Sequence, residues 1–275
     1  MIVLVLVLLP GVGTTVAGAR RWIDVGFASF QPTEFAKFTF ILYLSSWFRH
    51  KEKKRFFSFL LLLGFVISLV LIQPDLGTAV VIFTLFVLIY FMSGEPIANL
   101  AMLAPFAIGG FLLLVKTSPY RMKRLLSFLD PNVDPEGISY HIRQILISLS
   151  SGGLIGRGFS GSRQKYQFLP EAHTDSVFAI IAEETGFFGS VLIIIGYGLL
   201  MYTIYRVAKK TKDRFGFLLA SSVLSLLSIQ VLVNLGGMVN LMPLTGIPLP
   251  FLSYGGSSLL VFFSLMGIVI NIARR

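Results

Sequence analysis

The chain has 275 residues, 55% of them apolar and 13% charged, with a formal charge of +10 and no cysteine. Soluble domains carry about 25% charged residues and nothing near a mean hydropathy of +0.82. Those values exclude a soluble globule, a disordered chain and a disulfide scaffold, and leave a helical membrane protein.

Eight apolar stretches approach the length of a membrane span: residues 1–17, 33–48, 56–72, 76–92, 97–116, 175–205, 215–239 and 255–273. They predict an all-α integral membrane protein with a single polytopic domain over 1–275. Several are short, so tilted or partial insertion is expected. The first ends in Val16, Ala17, Gly18 and Ala19, which mimic a signal-peptidase site. No basic segment precedes the apolar run, so a retained span is expected instead of a cleaved signal.

Charge sets the expected orientation. Residues 49–55 hold five Lys or Arg, residues 206–214 hold five more, and the chain ends in Arg274 and Arg275. With eight spans these sites share one side, which the positive-inside rule makes cytoplasmic, together with both termini. Residues 117–174 then form a large extracytoplasmic loop with seven basic residues: Arg121, Lys123, Arg124, Arg143, Arg157, Arg163 and Lys165. Within it Ile138, Ile142, Ile145, Leu146 and Leu149 recur at helical spacing, predicting an interfacial or half-inserted helix over 138–150. Gly152, Gly153, Gly156, Gly158 and Gly161 follow as a flexible stretch.

Ionisable groups at membrane depth are costly, so each is a candidate for function. Four clusters arise, all expected toward the outer side. Arg21, Trp22 and Asp24 precede Gln-Pro-Thr-Glu-Phe-Ala-Lys at residues 31–37, where Pro32 opens a helix. Glu34 and Lys37 are three apart on one face, and read equally as a local ion pair or as part of a site. Gln73, Pro74 and Asp75 fit a helical hairpin in which Asp75 caps the next helix.

The third cluster is Phe-Leu-Pro-Glu-Ala-His-Thr-Asp at residues 168–175. Thr174 or Asp175 fits an N-cap, while Glu171, His173 and Asp175 also make an acid–base set at a membrane surface. Glu183 and Glu184 lie deeper and fit as partners of a basic loop residue. The fourth runs from Asn234 to Ser258, where three prolines and two small-residue clusters break the helix. Broken backbone at that depth is tolerated only when buried in protein or lining a cavity. Gly255, Gly256, Ser257 and Ser258 fit the opening of the last helix, either facing a phosphate or packing closely. Together the clusters describe a basic outward cavity with carboxylates at its rim, suited to an anionic substrate whose other end is lipid. No phosphate-binding loop, nucleotide fingerprint or His/Cys metal spacing is present. The donor is therefore expected to be activated and lipid-borne already, and nucleic acid is not an expected partner.

In sequence order, seven stretches resemble the SEDS family (FtsW/RodA/SpoVE). They are Arg21 to Ile23 with residues 31–37; residues 73–78; residues 121–131; Tyr140 with His141, Ile142, Arg143 and Gln144; residues 151–156; residues 168–184; and residues 243–258. The resemblance implies a peptidoglycan glycosyltransferase that polymerises lipid II at the outer face of the bacterial plasma membrane. It further implies a class B penicillin-binding transpeptidase and other division or elongation membrane proteins as partners. The wording at residues 170–175 is closer to FtsW than to RodA. The family usually has ten spans, and this chain begins at what would be the third. Asn240 stands where the family usually has Gly, Thr or Arg.

The resemblance implies that Asp175 is the catalytic carboxylate, taking the proton of a sugar 4-hydroxyl. An ordinary Asp, with a pKa of about 3.9, would be ionised but weakly basic. Arg21, Lys37, Arg121 and Arg124 are the implied pyrophosphate contacts, with Glu34, Glu171, His173 and Ser257 as further substrate-binding residues. A divalent cation would fit the chemistry, although no residues that fix one are evident. A flippase for the same lipid-linked precursor is the competing class, and a non-catalytic scaffold the third. The enzyme is favoured because the charged motifs cluster on one side.

Overall fold

Several helices here start at prolines, at small residues or at an Asp cap, as at Asp75 and Asp213. The computed structural model describes residues 2–9, 11–16, 19–24, 26, 29–50, 52, 55–130, 137–164 and 169–274. Ala17, Gly18, Lys51, Lys53, Lys54, Pro131, Lys165, Phe168 and Arg275, which carried expectations above, lie outside the described residues.

In chain order the elements are α1 (Ile2–Leu6), β1 (Gly13–Val16), β2 (Ala19–Asp24), β3 (Ser29–Phe30), α2 (Pro32–Trp47), α3 (Arg55–Ile72), α4 (Leu76–Met92) and α5 (Ile97–Lys116). They continue with α6 (Pro119–Leu129), α7 (Ile138–Ser151), α8 (Val177–Lys210), α9 (Arg214–Met238) and α10 (Gly256–Ala273). Among the described residues four helices are long and apolar enough to cross a membrane: α5, α8, α9 and α10. Phe56–Ile72 and Leu76–Met92 are shorter apolar helices.

The expected span over 1–17 does not form. Five helical residues rise about 7.5 Å, far short of a bilayer. Gly11, with φ 91°, and Gly13 follow the helix, and Thr14, Thr15 and Val16 favour a strand. The result is an antiparallel sheet in the order β1-β2-β3, with Thr14 opposite Trp22 and Ile23 opposite Phe30. The expected cytoplasmic amino terminus rested on that span.

Contacts divide the chain into two compact units. The first holds Met1–Asn99, Met201–Ile229 and Gly255–Arg275. Its core is aromatic: Phe59 lies 4.9 Å from Tyr90 and 5.9 Å from Phe86, and Phe40 meets Phe86 at 5.2 Å edge to face. Asp75 caps α4, accepting the Thr78 backbone N–H at 3.0 Å and the Thr78 hydroxyl at 2.8 Å, as its position predicts.

The second unit holds Leu100–Leu200 and Gln230–Tyr254. Among the described residues of 117–174 there are two helices where one was expected. α6 carries its basic residues among exposed Tyr120, Leu126 and Leu129. α7 is the predicted helix, and its stripe is sorted: Ile142 and Ile145 are buried, whereas Leu146 is exposed. Ile145 packs with Leu169, Ala179 and Met238 in the core, joined by Leu149, Ala172 and Leu244.

The expected span over 175–205 is broken. Gly186 has φ 70° and ψ −165°, outside any helix, so residues 177–185 form a half-helix ahead of the long remainder. The carbonyls freed there are met by the glycine stretch: Arg157 N–H donates to Glu183 O and Gly158 N–H to Glu184 O, both at 3.0 Å. In return Phe187 N–H donates to Gly153 O at 2.9 Å. These bonds satisfy backbone groups at the break that lipid could not. A Cβ on Gly156 or Gly186 would collide with the other's backbone strand, and both have positive φ.

Candidate functional site

Asp175 stands two residues before the half-helix at the head of α8. The turn that carries it is built on Glu171, whose φ of 50° is left-handed. The Glu171 carbonyl accepts Thr174 N–H and Ser176 N–H, each at 3.2 Å, and its carboxylate accepts the Thr174 hydroxyl at 2.8 Å. The residue directly before α8 is Ser176, not Thr174 or Asp175, so the capping role expected of those two does not account for the Asp175 carboxylate. Ser176 is fully buried and gives its hydroxyl proton to Pro170 O.

Asn234 of α9 fixes the Asp175 backbone. Its side-chain N–H₂ donates to Asp175 O at 2.9 Å and to Ile247 O at 2.8 Å. This ties the acid to the irregular segment between α9 and α10. That segment is irregular through three prolines, and Gly246, with φ +73°, lies against Asp175: a Cβ there would sit 3.3 Å from Asp175 Oδ2. Asp175, Asn234, Met238, Leu244, Thr245 and Gly246 line one small recess. Asn240 takes φ 55°, a conformation Asn tolerates, so it serves where a Gly would. Tyr254 N–H reaches His173 O at 2.9 Å and closes the segment over the turn.

Burial pushes the Asp175 carboxyl above the usual Asp range. Hydrogen bonding to Thr174 opposes the rise, Glu171 adds to it, and Arg124 opposes it. The weak base expected from the sequence is thus a stronger one. Of the other expected residues in this unit, Glu171 and His173 are exposed beside Asp175. Arg124 covers the Tyr120 ring at 5.0 Å, and Arg121 donates to Leu114 O at 3.3 Å.

Glu183, fully buried, is partnered as expected from the loop: Arg157 Nη1 at 3.2 Å, the Ser162 hydroxyl at 2.6 Å and Arg163 N–H at 3.2 Å.

The remaining expected residues lie in the first unit. Lys37 Nζ donates to Glu34 Oε1 at 2.6 Å, with both side chains almost wholly buried, and among the described residues Glu34 Oε2 has no hydrogen-bond partner. Arg21 spends its guanidinium on the α3–α4 turn: Nη2 donates to Pro74 O at 2.7 Å, Nε to Gln73 O at 3.2 Å, and Nη1 lies 3.7 Å from Asp75. The Ser257 hydroxyl accepts Gln31 N–H at 3.0 Å, where α2 begins. Sequence reasoning missed Asn234 and His141 as parts of the acid's surroundings. Both are polar residues on otherwise apolar helical stripes, and that was the available signal. Among the described residues no three His, Asp or Glu side chains gather in a metal-binding arrangement.

A helical membrane protein with a half-buried acid at the head of a broken helix is the class these features define. The family FtsW/RodA/SpoVE, described as cell cycle proteins, matches residues 1–275, and the chain belongs to that family. It is 42% identical over 279 residues to stage V sporulation protein E of Bacillus subtilis, covering 98% of this chain and 76% of that one. It is 40% identical over 281 residues to the probable peptidoglycan glycosyltransferase FtsW of Coxiella burnetii, covering 99% and 76%. A chain in a solved structure described as "Structural coordination of polymerization and crosslinking by a peptidoglycan synthase complex" matches with a TM-score of 0.81 and 34% identity, over 99% of this chain and 78% of that one. The protein is thus a multi-pass protein of the bacterial cell membrane.

Proposed function

We propose that this protein is a peptidoglycan glycosyltransferase that polymerises lipid II at the outer face of the bacterial plasma membrane, in division or in cell-shape elongation. The observation that carries the reading is Asp175: a half-buried carboxylate raised in basicity, on a backbone held by Asn234 just ahead of a half-helix. A sugar hydroxyl is a poor nucleophile and needs a positioned base of that kind.

In the proposed step the acceptor 4-hydroxyl gives its proton to Asp175 as its oxygen bonds the donor's anomeric carbon. The bond from that carbon to the lipid pyrophosphate breaks, and the pyrophosphate leaves with the electron pair. Asp175 then releases the proton to water. Arg124, whose charge reaches Asp175, is the cation we assign to the leaving pyrophosphate, with Arg121 beside it on α6. Glu171 holds the turn and raises Asp175. We assign Glu34, Lys37, Arg21 and Ser257 to binding the lipid-linked substrate through the first unit. His173 and Glu171 offer exposed polar contacts for the sugars.

A class B penicillin-binding transpeptidase is the proposed partner, supported by the peptidoglycan synthase complex among the structural relatives. The basic run at residues 206–214 supports a cytoplasmic side there and an extracytoplasmic site. The test is lipid II polymerisation by the purified protein with a cognate transpeptidase, beside Asp175→Asn. Glycan strands from the wild type alone are expected, and strands from the variant overturn the reading.

A further inference from the structure

We propose that His141 is a positioning residue for the Asp175 carboxylate, holding its turn through Ser176 while remaining uncharged in the working enzyme. The inference rests on the reading of Asp175 as the base.

His141 lies on α7, more than thirty residues from the turn in sequence, yet its Nε2 is 2.9 Å from Ser176 Oγ. Ser176 Oγ commits its own proton to Pro170 O, so it accepts from His141, and Nε2 carries the hydrogen. The Pro170 carbonyl, which accepts the Ser176 hydroxyl at the other end of the turn, also lies beside the ring. Ser176 has no exposed surface, so water does not substitute for this bond. The residue next in the chain is Asp175.

The surroundings select the neutral ring. Burial lowers the His141 pKa, and the Arg124 charge on α6 lowers it further; Glu171 and the Pro170 carbonyl act the other way. Arg143 is the charged neighbour on α7 itself. Arg124 and Glu171 are the same two groups that act on Asp175. Imidazole and carboxylate thus share one electrostatic neighbourhood. A proton on His141 would place a second cation there, beside Arg124, and would weaken Asp175 as a base.

The experiment is the pH dependence of lipid II polymerisation by wild type, Asp175→Asn, His141→Gln and His141→Phe, with detergent thermal melts alongside. Gln keeps a donor near the Nε2 position and has no titration. It should retain kcat within about threefold of the wild type at neutral pH. In acid, wild-type log kcat should fall with a slope approaching about two, one proton each for Asp175 and His141. The His141→Gln slope should be about one. His141→Phe, lacking the donor, should lose about tenfold or more in kcat with KM unchanged. An unaltered acid slope in His141→Gln overturns the proposal, as does wild-type kcat in His141→Phe. Activity in Asp175→Asn overturns the reading of the base itself, a different result from either.

Discussion

Asn234 and Asp175 are joined by a 2.9 Å hydrogen bond from the Asn side chain to the Asp backbone oxygen, and the same amide reaches Ile247 O. One side chain on α9 thereby sets the distance between the acid and the proline-rich segment that faces it. Asn234→Leu leaves two buried carbonyls without donors, at about 1–3 kcal/mol for each. Its polymerisation kcat should fall at least about tenfold with KM nearly unchanged. A lowered melting temperature with full kcat would show that the bridge supports the fold and does not aim the acid.

Asp175→Asn should abolish activity, a loss of about 100-fold or more. It should also melt higher than the wild type at neutral pH. Burial raises the carboxyl's pKa in the folded chain, so the folded state binds the proton more tightly than the unfolded state. Stability is therefore lost as pH rises from the ordinary Asp range through the raised value, and the amide does not suffer that loss. The gap in melting temperature should close in acid, where both states of the wild type are protonated. A variant less stable than wild type at neutral pH would contradict the sign.

Lys37 and Glu34 form a buried pair, and removing one member leaves an uncompensated charge. Lys37→Met should destabilise by about 3–5 kcal/mol, whereas Lys37→Met with Glu34→Gln should recover most of that loss. Polymerisation by the recovered double variant separates the two roles of the pair. If the pair binds substrate, the double variant stays inactive despite its restored melting temperature; wild-type activity would make the pair purely structural.

Gly186→Ala should cost at least about 2 kcal/mol, because φ is +70° and a Cβ meets the backbone near Gly156. Gly196→Ala, deeper in α8 with open space around its Cβ, is the control and should be neutral or mildly stabilising. Thermal melts of the two variants in one detergent make the comparison. Equal melting temperatures would mean that the break is not held by close contact.

Seven of the eight apolar stretches contain helices at nearly the expected bounds, because helical runs of Leu, Ile, Val and Phe have few other ways to satisfy their backbone in a membrane. The Asp75 cap and the Glu183 partner were legible for a local reason: an acid at a helix start has one obvious donor, and a buried acid needs a cation. The first stretch misled because hydropathy ignores Pro10, Gly11 and Gly13. The break at Gly186 was hidden because a single Gly does not interrupt an apolar pattern. The grouping of Asp175, Asn234 and His141 joins residues 34 to 93 positions apart, and no local rule in the sequence encodes such a closure.

A broken helix is usually pictured as a joint, but the break at Gly186 has no slack. Glu183 O, Glu184 O, Phe187 N–H and Phe188 N–H are already bonded to residues 153–158, and Glu183 clamps the same loop through Arg157 and Ser162. The half-helix that follows Asp175 and the glycine stretch are therefore braced against each other as one piece.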